Sequence, residues 1–429
     1  MAEITQSGRR QRRVDPAWSR RLLVDGDTLA RPETLRGVFP APLFDAGDIV
    51  EALRTGLGEI RSVHGGDDTL CVFTDGEVRH ADRDRVLSHP PSPGESLTGW
   101  WARMFAGERV TVLFDRIDRF LDERAAAFVA PLLAELGVPS GGVEFSLHLC
   151  NGRGDVVGAR ARPGPALFVP LMGPPRRLSL WDADAFAAHC VFYASSCAFE
   201  ALGPLARTVE LAVGDLAYVP AKTGALIEPD ALAATLMITW TDLSDREFLN
   251  RAIVSDCARR LEDLGVYVDF DDTDPESTRL CDRLLGGPQA RPFGDDTLGA
   301  WIPRVLESQR LELLSAAGLQ SVPPVRDTSA LDLRRATVVR AGPFPICVQQ
   351  LPNGRVALFA RGRSFSARMQ PALTHLFDVL NAGLPVHVPT LVQALEGELS
   401  EAALARLLGV LWMYRAIEIV ASEPSEGSR

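Results

Sequence analysis

Arg160 and Arg162 stand one residue apart in this 429-residue sequence. A strand repeats every two residues, so the pair shares one face. Guanidiniums stay protonated and only donate hydrogen bonds; such a pair grips a carboxylate or phosphate by bidentate contacts and repels a metal cation. Two orientations stand open, because a one-residue change of register sends both arginines to solvent as ordinary surface charge. Metal chemistry has less to work with. His148 and His189, with Glu144, Asp155 or Glu228 as carboxylates, show no recognised ligand spacing. Gly152-x-Gly154-x-x-x-Gly158 lies between strands and lacks the helix that would cradle a pyrophosphate. The sequence has no Gly-x-Ser-x-Gly elbow, no Gly-x-x-x-x-Gly-Lys loop and no His-Glu-x-x-His.

The elements that must position these residues lie in 144–241. Val143-Glu-Phe-Ser-Leu-His-Leu-Cys150, Pro165-Ala-Leu-Phe-Val-Pro-Leu171, Arg207-Thr-Val-Glu-Leu-Ala-Val213 and 232–241 are apolar runs of strand length separated by Gly, Pro or Asp, which predicts a β-barrel or jelly roll with helices only before and after it. Upstream, residues 1–20 read as a solvated tail, 70–74 and 109–114 as strands, and the spacing from Phe120 to Leu136 as a helix stopped by Gly137 and Pro139. Downstream, 243–322 reads as helical: one stripe runs from Phe248 to Leu264 and another from Trp301 to Leu313. This pair either serves as a dimer surface or packs on the barrel. Pro323-Pro324 marks a boundary. The pattern of 323–421, with strand 355–360, helices near 371–381, 390–395 and 400–414, and strand 416–420, outlines a winged helix; 422–429 is a polar tail.

Composition limits the partners. The formal charge is −11, from 45 basic against 56 acidic residues, which argues against nucleic acid or an anionic membrane surface. The third helix of the winged-helix outline offers Glu401, with Arg406 and Arg415 as its only cations, so a protein-interaction role is expected there. Seven cysteines without a Cys-x-x-Cys pair read as reduced core residues. No apolar run approaches the roughly 20 residues of a membrane span, and the expected location is the cytoplasm. Lys222 is the only lysine, and an arginine- and alanine-rich composition suggests a bacterial, high-GC origin.

Four segments in order carry a family resemblance: Gly107-Glu-Arg-Val-Thr-Val-Leu-Phe-Asp-Arg-Ile-Asp118, Phe145-Ser-Leu-His-Leu-Cys-Asn151, Leu167-Phe-Val-Pro-Leu-Met-Gly173 and Gly214-Asp-Leu-Ala-Tyr-Val-Pro220. The sequence resembles the bacterial JmjC-domain proteins of the ribosomal-oxygenase type, which are Fe(II) and 2-oxoglutarate hydroxylases. That resemblance implies an α+β protein with a double-stranded β-helix core (cupin, JmjC), a helical region and a C-terminal winged helix. The family's metal sits in a His-x-Asp pair and a distal His. Counting along the matched segments puts Arg160 and Arg162 at the His-x-Asp positions and Ala225 at or beside the distal His. The triad is therefore missing, and no metal or cofactor is expected.

By the same resemblance Ser146 and His148 stand where the family has inward-facing polar residues, which makes His148 an acid, base or hydrogen-bond partner or a structural histidine. Lys222 falls near the barrel mouth, where it grips an acidic group or is simply exposed. The resulting expectation is a non-catalytic, metal-free relative binding a peptide, protein or acidic small molecule through Arg160, Arg162, His148, Ser146 and Lys222. A homodimer, or pairing with a catalytic homologue, is its expected assembly. The alternative is an enzyme, either an oxygenase with displaced ligands or a metal-independent cupin acting on an anionic or peptide substrate.

Overall fold

The computed structural model describes residues 17–23, 31–62, 69–74, 77–152, 164–182, 184–186, 203–263, 298–328, 336–351, 354–396 and 398–420. Contacts divide the chain into two compact units, one made of Met1–Pro139 and Val143–Thr241, the other of Ser140–Gly142 and Asp242–Arg429. Arg160, Arg162, His189 and Asp155 lie outside the described residues, as does the glycine loop beyond Gly152.

The first unit begins with helix α1 (Ala17–Leu23), strand β1 (Glu33–Leu35) and helix α2 (Ala46–Ser62). The solvated tail expected to Arg20 is corrected here. Trp18 is buried and stacks on Phe128 at 5.0 Å, an aromatic contact that holds α1 on the core. At the start of α2, Asp45 and Asp48 exchange side chain to backbone hydrogen bonds, a reciprocal cap that satisfies donors the helix leaves open. Then follow β2 (Leu70–Thr74), β3 (Glu77–Val78), α3 (His80–Ser88), α4 (Leu97–Phe105), β4 (Val110–Asp115) and α5 (Asp118–Leu136). The expected strands at 70–74 and 109–114 and the helix ending at Gly137 are all present.

The strand-rich stretch supplies β5 (Val143–Cys150), β6 (Ala166–Met172), β7 (Arg176–Trp181), β8 (Arg207–Leu211), β9 (Leu216–Val219), β10 (Gly224–Pro229) and β11 (Ala233–Trp240). Helical residues 184–186 and a 3-10 turn at Gly203–Leu205 interrupt it, correcting the expectation that helices occur only outside it. The Gly203-Pro204 step favours such a turn. One sheet has eight strands in the order β1-β9-β6-β11-β5-β4-β2-β3, the other three in the order β10-β7-β8, with every pair antiparallel. Ala166, Phe168, Ala217, Val219 and Met237 of the large sheet share an apolar cluster with Leu178, Leu180, Leu211, Ala225 and Ile227 of the small one. Alternate residues of both sheets therefore face a common interior.

The second unit contains α6 (Asp245–Asp263) and α7 (Leu298–Ser315), joined through a small core of Ala252, Trp301 and Val305, with the Trp301 Nε1–H donating to Asp256 at 3.0 Å. It continues with β12 (Thr337–Arg340), β13 (Cys347–Leu351), β14 (Arg355–Ala360), β15 (Arg363–Arg368), α8 (Pro371–Asn381), β16 (Val386–His387), α9 (Val388–Ala394), α10 (Glu401–Met413) and β17 (Ile417–Val420). Two three-stranded sheets result, β16-β12-β17 and β13-β14-β15. No helix among the described residues is long and apolar enough to cross a membrane. The fold is a mixed α+β one.

Candidate functional site

The interior between the two sheets is apolar at one end and polar at the other, and the register fixes which residues supply the polar end. Met237 of β11 belongs to the inter-sheet cluster. Its partner on β5 is Ser146, and the next inward pair is Thr235 with His148. Cross-strand partners share a face, so Ser146 and His148 look into the interior, and Cys150 follows two residues on. Phe145, of opposite parity, packs against Phe128 of α5 at 6.4 Å on the other side of the sheet. Ser146 and His148 are buried. Their expected inward orientation agrees with this register.

Across the interior, β7 alternates Arg176, Leu178 and Leu180 inward, the two leucines lying in the inter-sheet cluster. Arg176 is 1% exposed. Its Nη1 donates to the Ala234 carbonyl at 2.7 Å and the Thr235 Oγ1 at 2.6 Å. Its Nη2 donates to the carbonyls of Met172 at 2.7 Å and Pro174 at 3.3 Å. All four acceptors are neutral. The Nε–H has no hydrogen-bond partner, and no carboxylate pairs with this guanidinium among the described residues. Burial pulls Arg176 down to about 10, slightly offset by Cys150, so it is still a cation at neutral pH. Burial likewise pushes the Cys150 thiol up to about 12, with Arg176 working weakly against the rise. Arg176 thus holds a buried positive charge with one open donor, a combination that costs free energy until an anion joins it.

The turn that delivers Arg176 depends on Gly173. Its φ is +99°, and a Cβ there would stand 2.6 Å from the Leu232 carbonyl oxygen. Only glycine admits that approach. The following Pro174-Pro175 leads directly into β7.

A two-histidine, one-carboxylate iron site does not fit the described interior. Ala225, at the position resembling the distal histidine, is buried in the inter-sheet cluster with Leu180 and Ile227. The Arg176 cation opposes a metal at the polar end. No group of three or more His, Cys, Asp or Glu side chains that could hold a metal is gathered among the described residues. Glu144 and Glu228 therefore have no ligand set around them there.

Lys222 is brought into none of this. It occupies the exposed turn after β9 with a φ of +63°, and the Thr223 N–H donates to the Pro220 carbonyl across that turn. Of the residues singled out in the sequence, the structure brings Ser146 and His148 together. Arg176 was missed; the available signal was an arginine in phase with Leu178 and Leu180 directly after a Gly-Pro-Pro turn.

No family model and no curated protein matches the chain. In fold it is similar to solved structures of Escherichia coli YcfD, a ribosomal oxygenase. One such structure has a TM-score of 0.48 and 16% identity, covering 92% of this chain and 98% of that one. Another, of YcfD in complex with cobalt and succinic acid, has a TM-score of 0.47 and 16% identity over 91% of this chain and 94% of that one.

Proposed function

We propose that this chain is a metal-free binding protein built on an oxygenase-like double-stranded β-helix, taking a carboxylate or other small acidic group into the interior between its sheets. The single observation that carries the reading is Arg176, fully buried, cationic, and bonded only to neutral oxygens with its Nε–H open. A ligand carboxylate at that position gains a charge-assisted hydrogen bond of about 1.5–3 kcal/mol and supplies the missing counter-charge. His148 and Ser146 line the same interior, and Arg160 and Arg162 are proposed to add to its positive lining. The acidic group belongs to a free small molecule or to a peptide side chain. The C-terminal 323–421 region, read as a winged-helix-like module, then serves protein contacts.

Calorimetry with a panel of small carboxylates on the full chain tests the reading. Saturable binding is expected, weakened at least about tenfold in Arg176→Met, since tenfold corresponds to about 1.4 kcal/mol, just under the lower end of that range. Absence of carboxylate binding, or full binding by a folded Arg176→Met protein, would refute it. Stoichiometric iron in protein purified without chelator would refute its metal-free part. The rival reading, acid-base catalysis on an anionic substrate, draws on the inward position of His148; turnover of a bound carboxylate, lost in His148→Gln, would favour it.

A further inference from the structure

We infer that His148 sets the charge of the Arg176 anion position, so that the interior holds a carboxylate more tightly when the imidazole is protonated. The inference rests on the anion-binding reading above and adds a proton to it. Its basis is the juxtaposition at Thr235. His148 is the direct cross-strand partner of Thr235, and the Thr235 Oγ1 accepts from Arg176 Nη1 at 2.6 Å. Directly opposed residues of an antiparallel pair have Cβ atoms roughly 4.5–5.5 Å apart. His148 and Arg176 are therefore both gathered at Thr235, at the same polar end of the interior.

The other charged or titratable groups around His148 can be named from the register. On β4, Leu113 is its direct neighbour, with Thr111 and Asp115 in the adjacent inward pairs. On β5 itself the inward positions are Glu144, Ser146 and Cys150; on β11 they are Thr235, Met237 and Thr239. The small sheet contributes Arg176, with apolar Leu178, Leu180, Ala225 and Ile227 beyond it. Cys150 stays a neutral thiol over the working range. Asp115 and Glu144 favour the imidazolium and Arg176 opposes it.

A bound carboxylate cancels the opposition from Arg176. Anion binding must then raise the proton affinity of His148, and protonation must by linkage tighten anion binding by the same factor. Histidine is the side chain whose ordinary ionisation, near 6.5, makes this coupling active between about pH 5 and 8.

Acetate, ionised over that range, is the probe. Its affinity for the wild-type chain is expected to rise about tenfold from about pH 8 to about pH 5.5. His148→Gln keeps hydrogen-bonding groups without the titration and is expected to bind acetate with the pH dependence reduced to less than about twofold. Imidazole NMR of the wild-type chain gives a second readout that needs no variant: acetate is expected to move the His148 titration to higher pH. A flat wild-type profile, an undiminished profile in His148→Gln, or a His148 titration that acetate leaves in place would each overturn the inference while leaving Arg176-dependent binding intact. No acetate binding at any pH would overturn both.

Discussion

At the scale of the residue, the interior is governed by what burial does to two neighbouring side chains. Arg176 loses proton affinity and is still charged, whereas Cys150, pushed up to about 12, is held as a thiol. Because the thiolate is the reactive form, burial holds Cys150 in its unreactive form at pH 8, and its alkylation by iodoacetamide should lag far behind that of the unfolded chain. Peptide mapping by mass spectrometry after timed labelling checks this; equal labelling of Cys150 in native and denatured protein would contradict it. The same scale shows why Arg176 was not legible in the sequence. Arg176 and Arg177 are adjacent and chemically identical, yet one is buried and the other exposed. The difference comes from strand phase relative to Leu178, which a run of mixed polarity such as Arg-Arg-Leu-Ser-Leu-Trp only half reveals. Ser146 and His148 were singled out through the family resemblance; their strand, apolar on both faces, does not by itself say which face is the interior.

Among the elements, two turns decide how well the sheets are placed. Gly173 at φ +99° sits against the Leu232 carbonyl, so Gly173→Ala must both strain the backbone and displace a β-strand neighbour. A loss of about 2–4 kcal/mol is expected, read as a lowered urea midpoint, with weaker carboxylate binding because Arg176 follows three residues later. Asp215 fastens the turn between β8 and β9 to the segment after β1. It accepts from the backbone N–H of Ala212 at 3.0 Å and of Gly37 at 2.9 Å, and pairs with Arg36 at 2.7 Å. Burial works to raise this carboxyl, but the hydrogen bonds from Ala212, Gly37 and Arg36 outweigh it and hold it below its ordinary 3.8. A depressed carboxyl stabilises the fold above its unfolded value and loses that contribution as pH falls through the folded one. Asp215→Asn should therefore be less stable than wild type at pH 7, with the gap closing below about pH 4; a gap unchanged down to pH 2 would exclude the ionic role. Most strands of the first unit could be read as apolar runs. By contrast β15, Arg-Ser-Phe-Ser-Ala-Arg, is half-exposed throughout and paired on one side only, so it lacks the hydrophobic signature of a strand.

At the scale of the whole molecule, the net charge and the fate of the arginines in the second unit bear on what the chain can bind. Arg363 donates to the Pro323 carbonyl at 3.0 Å and Arg415 Nε to the Pro324 carbonyl at 2.8 Å. Arg326 lies over the Trp412 ring at 4.2 Å, donates to the Ile417 carbonyl at 3.3 Å and pairs with Glu418. The cations beside α10 therefore clamp the 323–326 segment onto its own unit. Arg406, on the helix itself, is left to meet a phosphate. Neutralising several phosphates is what gives DNA binding its strength and its salt dependence, and a net charge of −11 together with the engagement of Arg326, Arg363 and Arg415 argues against it. Nitrocellulose filter binding at low salt should retain no duplex DNA above background. Tight retention abolished by moderate salt would show that the second unit frees its arginines for nucleic acid. Arg326→Ala separates the two roles: with the clamp as described, it lowers stability by about 1–3 kcal/mol through the lost ring, carbonyl and carboxylate contacts and leaves the filter assay at background.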